Sequence, residues 1–279
     1  MRSTFRARLI SAALLCALAL SAAPAVTSAA APLRIGSDIS YAPLEFYRGA
    51  SKQVTGFDYD LAQALGKALG RPVLFENTDF NSLIKDVQAG KIDIAMSAMS
   101  DTRDREKQVN FLDYFIAGSG ILVPHGNPRR IFFLAGLCGM TVDLQAGTSQ
   151  FDAATAASKT CTSLGLGPIT LLTAPTDDAA LKFFLAGKSY AHITDYPVAA
   201  YLALTLDGGK KYEVAGRQFA AVPYGIAVRK GNAALLTQIQ NALKSVIADG
   251  TYDALLSKWH LSQGALRSAP INAGTLFQH

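Results

Sequence analysis

Charge is scarce in this sequence. Only 17% of its 279 residues are acidic or basic, whereas 50% are hydrophobic, which excludes a disordered chain and allows one large or two medium cores. Histidine and cysteine are scarcer, at four and three, and with no histidine beside a cysteine a metal site is not expected. Nor is there a stripe of lysine and arginine. The pair Arg129 and Arg130 stands alone, so a pI near 9.1 does not point to a nucleic-acid partner.

An apolar run of bilayer length is missing as well. The stretch LISAALLCALAL is short for a span, which takes about 20 residues. It follows Arg2, Arg6 and Arg8 and precedes the small residues AVTSAAAP, so residues 1–31 read as an export signal cut between Ala25 and Ala31. An uncleaved anchor is the competing reading. Removing the leader turns 26 basic against 21 acidic residues into 23 against 21, a net charge of +2.

Cys16 lies in the leader behind Leu15, which is too large for the usual lipidation site, so no lipid anchor is expected. Cys138 and Cys161 remain. In an oxidising compartment they are expected to pair, stabilising by roughly 3 kcal/mol, with two buried free thiols as the alternative.

Strand-like and helix-like runs alternate along the rest of the chain, the pattern of a mostly parallel sheet. LRIGSD starts a strand at Leu33, and GFDYDLAQALGKALG is an amphipathic helix with Leu61, Leu65 and Leu69 on one face. VLFEN is a strand, FNSLIKDVQAG a helix and KIDIAM a strand. LIKDVQAGKIDIAMSA overlays ALKFFLAGKSYAHITD with coincident Ala89/Ala186, Gly90/Gly187 and Lys91/Lys188. Each reads as helix, glycine stop and buried strand. The overlay delivers Ser97 from one strand end and Thr194 and Asp195 from the other, where open α/β sheets gather ligands.

Two like-built α/β lobes follow from this overlay. GSGILVPHGNP leaves the first, and RQFAAVPYGIAV returns to it. The expected division is 32–122 for the first part of lobe 1, 123–217 for lobe 2, and 218–279 for the rest of lobe 1 with a loose tail after Leu261. A closing helix places Leu236, Ile239, Leu243 and Val246 on one stripe.

AMSAMSDTRDR poses an electrostatic question. A capping cluster of Ser100, Asp101 and Thr102 precedes a helix whose first turn carries Arg103 and Arg105, where the helix dipole disfavours cations unless an anion lies opposite.

RIGSDISYAPLEF, GFDYDLAQALGKALG, DFNSLIKDVQAGKIDIAMSAMSDTRDREKQVNF, LQAGTSQ, the aspartate of ITDYP, and DGTYDALLSKW occur in an order that resembles family 3 extracellular solute-binding proteins. These are the periplasmic receptors for polar amino acids that feed ABC importers. The resemblance runs from about Leu33 to Trp259 and implies two doubly wound lobes on a two-segment hinge, the type II periplasmic binding protein arrangement.

It also implies the site. Arg105 matches the arginine that holds the ligand's α-carboxylate, which would be the missing anion, and its planar fork suits two parallel charge-assisted bonds. Arg103 points elsewhere and reads as a surface charge beside Asp104 or Glu106. Asp195 matches the aspartate for the α-ammonium group, with a helix cap as its other reading. Ser97 and Ser100 match polar contacts, and Ala98 stands where some relatives have serine. Thr148 and Ser149 match contacts at a helix start; Ser149 with Asp152 also fits a capping box, which ranks Thr148 first. Tyr41 and Phe80 match the walls around the ligand side chain, although an aromatic can be plain core. Asp38 stands where relatives binding basic amino acids carry an acid, which leans the reading towards a basic or otherwise polar ligand. Leu112 replaces a commoner small hydroxyl residue.

The expected function is capture of a free amino acid by hinge closure and delivery to an inner-membrane permease, by a periplasmic monomer without cofactor, metal or catalytic residue. The enzyme alternative is a cyclohexadienyl or arogenate dehydratase, for which His125, His192, His260 and His279 are poor acid–base candidates. A sensor or adhesin domain would bring further domains, for which the chain has no room.

Overall fold

The computed structural model describes residues 30–277; the export signal expected over 1–31 lies almost wholly outside them. Strand β1 (Leu33–Ser37) is followed by a hairpin of β2 (Phe46–Arg48) and β3 (Gln53–Thr55), then α1 (Phe57–Leu69), β4 (Val73–Asn77), α2 (Leu83–Ala89), β5 (Ile94–Ala95) and the single turn α3 (Arg103–Glu106). The long β6 (Val109–Pro124) leads to β7 (Thr141–Gln145), α4 (Ser149–Ser163), β8 (Thr170–Ala174), α5 (Asp177–Leu185), β9 (Ala191–Asp195) and α6 (Tyr196–Thr205). The chain continues through β10 (Tyr212–Val214), β11 (Phe219–Arg229), α7 (Ala233–Ala248) and α8 (Thr251–Lys258). Among the described residues no helix is long and apolar enough to cross a membrane.

One sheet runs in the order β4-β1-β5-β11-β6-β9-β7-β8, with β10 also on β6. Its two flanks are parallel: β1 pairs β4 and β5, and β7 pairs β8 and β9. Between them β6 and β11 run antiparallel, and β6 passes from β11 at Ser119 to β9 over Ser119–Leu122. The two segments expected to cross between lobes are therefore adjacent strands at the centre of the sheet.

Two large cores follow the flanks. Leu33, Ile35, Leu61, Leu65, Leu236, Ile239, Leu243 and Val246 meet in one, and Val142, Leu144, Ala154, Cys161 and Ile193 in the other. Cys138 and Cys161 are disulfide-bonded, Cα atoms 5.5 Å apart, and tie the start of the second core to α4. The helix–glycine–strand overlay holds in detail. Gly90 (φ 71°) and Gly187 (φ 68°) turn the chain in the left-handed region after α2 and α5, and lead into β5 and β9.

Two expectations need correction. KIDIAM pairs only at Ile94 and Ala95, because the chain leaves the sheet at once: Met96 keeps one bond to the Gly36 carbonyl at 3.0 Å, and Ala98 turns to φ 42°. Over residues 262–277 the tail is not loose. It runs back along β6, bridging Phe115 at Ala265 and Leu112 at Ile271, with Ala269 and Ala273 buried.

Candidate functional site

The strand ends dictate what converges. From the first flank come Asp38 after β1, Tyr41, Phe80 before α2, Ser97, Ala98 and Ser100 after β5, and Arg105 on α3; from the second come Thr148 and Ser149 at the start of α4 and Asp195 at the end of β9. All ten line one cleft, partly open to solvent, with about 330 Å³ unfilled by protein. Glu45, Gln145 and Gln150 complete the lining and were not singled out from sequence, although each belongs to a quoted block.

The floor rests on buried acids. Ser97 Oγ accepts the Asp38 N–H at 3.0 Å and donates to Glu45 Oε1 at 2.8 Å, while Asp58 Oδ2 accepts the Ala98 N–H at 2.9 Å and the Tyr114 hydroxyl at 2.6 Å. Burial and the neighbouring Asp58 push the Glu45 carboxyl well above its ordinary range, and burial lifts Asp58 to about 6. Glu45 Oε2 and Asp58 Oδ1 have no other donor. Keeping one of the two carboxyls neutral avoids two adjacent buried charges.

Arg105 is aimed by its cap. Thr102 Oγ1 accepts the Arg105 N–H at 3.4 Å, and the guanidinium donates from Nη1 to the Ser100 carbonyl at 2.9 Å and from Nη2 to the Gly147 carbonyl at 3.1 Å. Its carbon lies 5.4 Å from the centre of the Phe80 ring. Burial draws the guanidinium down to about 10, against the pull of Asp152, Asp195 and Asp101. Among the described residues no carboxylate comes within ion-pair distance of it.

Among the described residues the cleft carboxyls Asp195 and Asp38 likewise have no cation within ion-pair distance. Asp195 accepts from Gln150 Nε2 at 2.5 Å and forms no cap for α6; burial raises it to about 7. Asp38 accepts from Gln145 Nε2 at 2.7 Å and Ser40 Oγ at 2.9 Å, and burial, seconded by Asp177 and Asp178, raises it to about 6. His192 is not a cleft residue: it is buried with Nδ1 2.6 Å from Asp143 and Nε2 3.4 Å from Asp177. Those partners, led by Asp177, outweigh desolvation and raise it to about 10.

Thr148 and Ser149 both line the cleft, and their hydroxyls are engaged differently. Thr148 is the N-cap of α4, its hydroxyl accepting the Phe151 N–H at 3.2 Å and donating to the Gln145 carbonyl at 2.9 Å. Ser149 instead faces Ser100 across the cleft, Oγ to Oγ 3.2 Å. The capping box expected between Ser149 and Asp152 does not form, because the cap sits one residue earlier.

Residues 33–262 match the profile of the bacterial extracellular solute-binding proteins, family 3. The chain is 29% identical over 242 residues to an arginine-binding protein of Corynebacterium glutamicum, covering 86% of this chain and 78% of that protein. It is 30% identical over 255 residues to the histidine-binding periplasmic protein of Salmonella typhimurium, covering 87% and 95%. A solved ancestral arginine-binding protein, bound to arginine, shares the fold with a TM-score of 0.73 at 36% identity, over 82% of this chain and 97% of the other. The mixed α/β sheet agrees with the type II periplasmic binding protein architecture expected from the sequence. The chain belongs to the bacterial extracellular solute-binding proteins, family 3.

Proposed function

We propose that this protein captures a free basic amino acid in the periplasm, by closing its two flanks on it, and hands it to the membrane permease of an ABC importer. One observation carries the reading: among the described residues, a guanidinium without a carboxylate, Arg105, shares a cleft with two carboxyls without a cation, Asp195 and Asp38. A zwitterion with a cationic side chain supplies one partner for each.

In this reading Arg105 holds the α-carboxylate, helped by Ser100, Ser149 and the N–H groups that open α4. Asp195 takes the α-ammonium group, and Tyr41 and Phe80 wall the side chain. Asp38 meets its cationic end, which Asp177 and Asp178 also favour. Ser97 retains capacity to accept one more bond, whereas Ala98 offers only its small surface. The moving bodies are 32–122 with 218–279, and 123–217, hinged on β6 and β11. Relatives named for arginine and histidine favour a basic ligand. A micromolar dissociation constant corresponds to about 8 kcal/mol, within reach of two charge-assisted clusters after ordering costs.

Calorimetric titration of ligand-stripped protein with the twenty common amino acids, ornithine and citrulline tests this. Saturable heat is expected, strongest for the basic ones and with the ligand recovered unchanged. Absence of heat for every amino acid, or turnover of arogenate or prephenate, would overturn it.

A further inference from the structure

We propose that the C-terminal strap, residues 265–277, is a positioning element of the binding site: it holds the turn that presents Arg105. The strap lies beyond the stretch matched to the family, which ends at residue 262. The proposal rests on reading Arg105 as the seat of the ligand carboxylate.

α3 is a single turn of four residues, too short to hold itself in water, so something else must fix it. On one side β11 does so: the Asp101 N–H donates to the Pro223 carbonyl at 2.8 Å and the Gly225 N–H to the Met99 carbonyl at 2.9 Å. On the other side stands the strap. The Gly274 N–H donates to Asp101 Oδ2 at 2.9 Å and the Thr275 N–H to Glu106 Oε1 at 3.2 Å. Asp101 and Glu106 bracket Arg105 in sequence, so consecutive strap residues grip both ends of its turn.

The strap is itself anchored to β6. The Ala273 N–H donates to Asp113 Oδ2 at 3.0 Å, Asn272 Oδ1 accepts the Phe111 N–H at 2.7 Å, and the Asp113 N–H donates to the Pro270 carbonyl at 2.9 Å. Contact at Gly274 is close enough that a Cβ there would lie 2.1 Å from the Asp101 carbonyl oxygen. Any other residue must push the turn and strap apart. Phe277, at the strap's end, borders a cavity next to the cleft with Arg105, Gly147 and Ser149. A two-pronged guanidinium contact tolerates a misplacement of only about 0.5 Å, so a displaced turn weakens it before the fold is lost.

The test compares L-arginine with L-argininamide, which keeps the side chain and ammonium group but lacks the carboxylate. Wild-type protein should prefer arginine strongly, and Gly274→Ala should shrink that preference about tenfold by weakening arginine while leaving the amide nearly unchanged. Thr275→Pro, which removes the N–H given to Glu106, should act in the same direction and serves if Gly274→Ala does not fold; Thr275→Ser should restore wild-type values. A lowered melting temperature with the arginine-to-amide ratio intact would make the strap merely structural and overturn the proposal. A wild-type protein without preference would instead overturn the assignment of Arg105.

Discussion

Tyr41 and Asp195 are joined across the cleft: the Asp195 N–H donates to the Tyr41 phenol oxygen at 3.0 Å, and that oxygen lies 3.0 Å from Thr194 Oγ1. The phenol therefore fastens the loop after β1 to the end of β9. Gln145 to Asp38 and Arg105 to Gly147 make further ties of the same kind.

Tyr41→Phe keeps the wall and removes these bonds. A neutral hydrogen bond is worth about 1 kcal/mol net, so amino-acid affinity should fall roughly five- to tenfold, through a faster off-rate. Stopped-flow and calorimetry read the two quantities. Unchanged kinetics would mean that the bond plays no part in closure.

Arg105→Ala should weaken amino-acid binding at least about a hundredfold, as expected for loss of two charge-assisted bonds, with little change in the melting temperature of the empty protein. Lysine at this position should restore little, because one ammonium cannot reproduce a planar fork. Calorimetry beside thermal denaturation checks both, and retained affinity in either variant would refute the carboxylate seat.

The strand ends explain why residues lining the candidate cleft could be picked out before the fold was known. Ser97 follows β5 and Asp195 ends β9, the buried strands that the overlay aligned, and their neighbours came with the family pattern. Glu45 and Gln150 escaped notice because their roles are relational. Glu45 matters through Ser97, 52 residues away, and through Asp58, and Gln150 through Asp195, 45 residues away. The tail misled for a similar reason. Its Ser, Gly, Ala and Pro composition says loop, but its backbone N–H groups find Asp101, Asp113 and Glu106, which sequence cannot pair with them.

The Cys138–Cys161 bond closes a loop of 23 residues' separation. Replacing both cysteines by serine should cost about 3 kcal/mol, a fall of roughly 10 °C in melting temperature for a chain of this size. Ligand affinity should be spared, because the bond joins the start of α4's core to its far end and not to the cleft. A double variant as stable as wild type would show that packing alone holds this corner.

Protons give the last prediction, and the sign is the same at every group that matters. Burial raises Asp38, Asp58 and Asp113 to about 6, Asp195 to about 7 and Asp101, with Asp113 beside it, to about 8, whereas their unfolded counterparts titrate near 3.8. Between those limits the empty folded protein holds protons that the unfolded chain has released, so its stability must fall as pH rises. His192 adds to the trend: raised from 6.5 to about 10, it contributes fully below 6.5 and loses that contribution as pH rises through the interval. Arg105, drawn down to about 10, and Asp93, lowered by Arg34, titrate outside the window from 5 to 8. The empty protein should therefore melt at a higher temperature at pH 5 than at pH 8. A bound ammonium group favours ionised Asp195, so amino-acid binding at pH 7 should release protons, and the heats in phosphate and Tris should differ by the buffers' ionisation enthalpies. A flat melting profile with identical heats in both buffers would mean that these carboxyls are charged in the empty cleft.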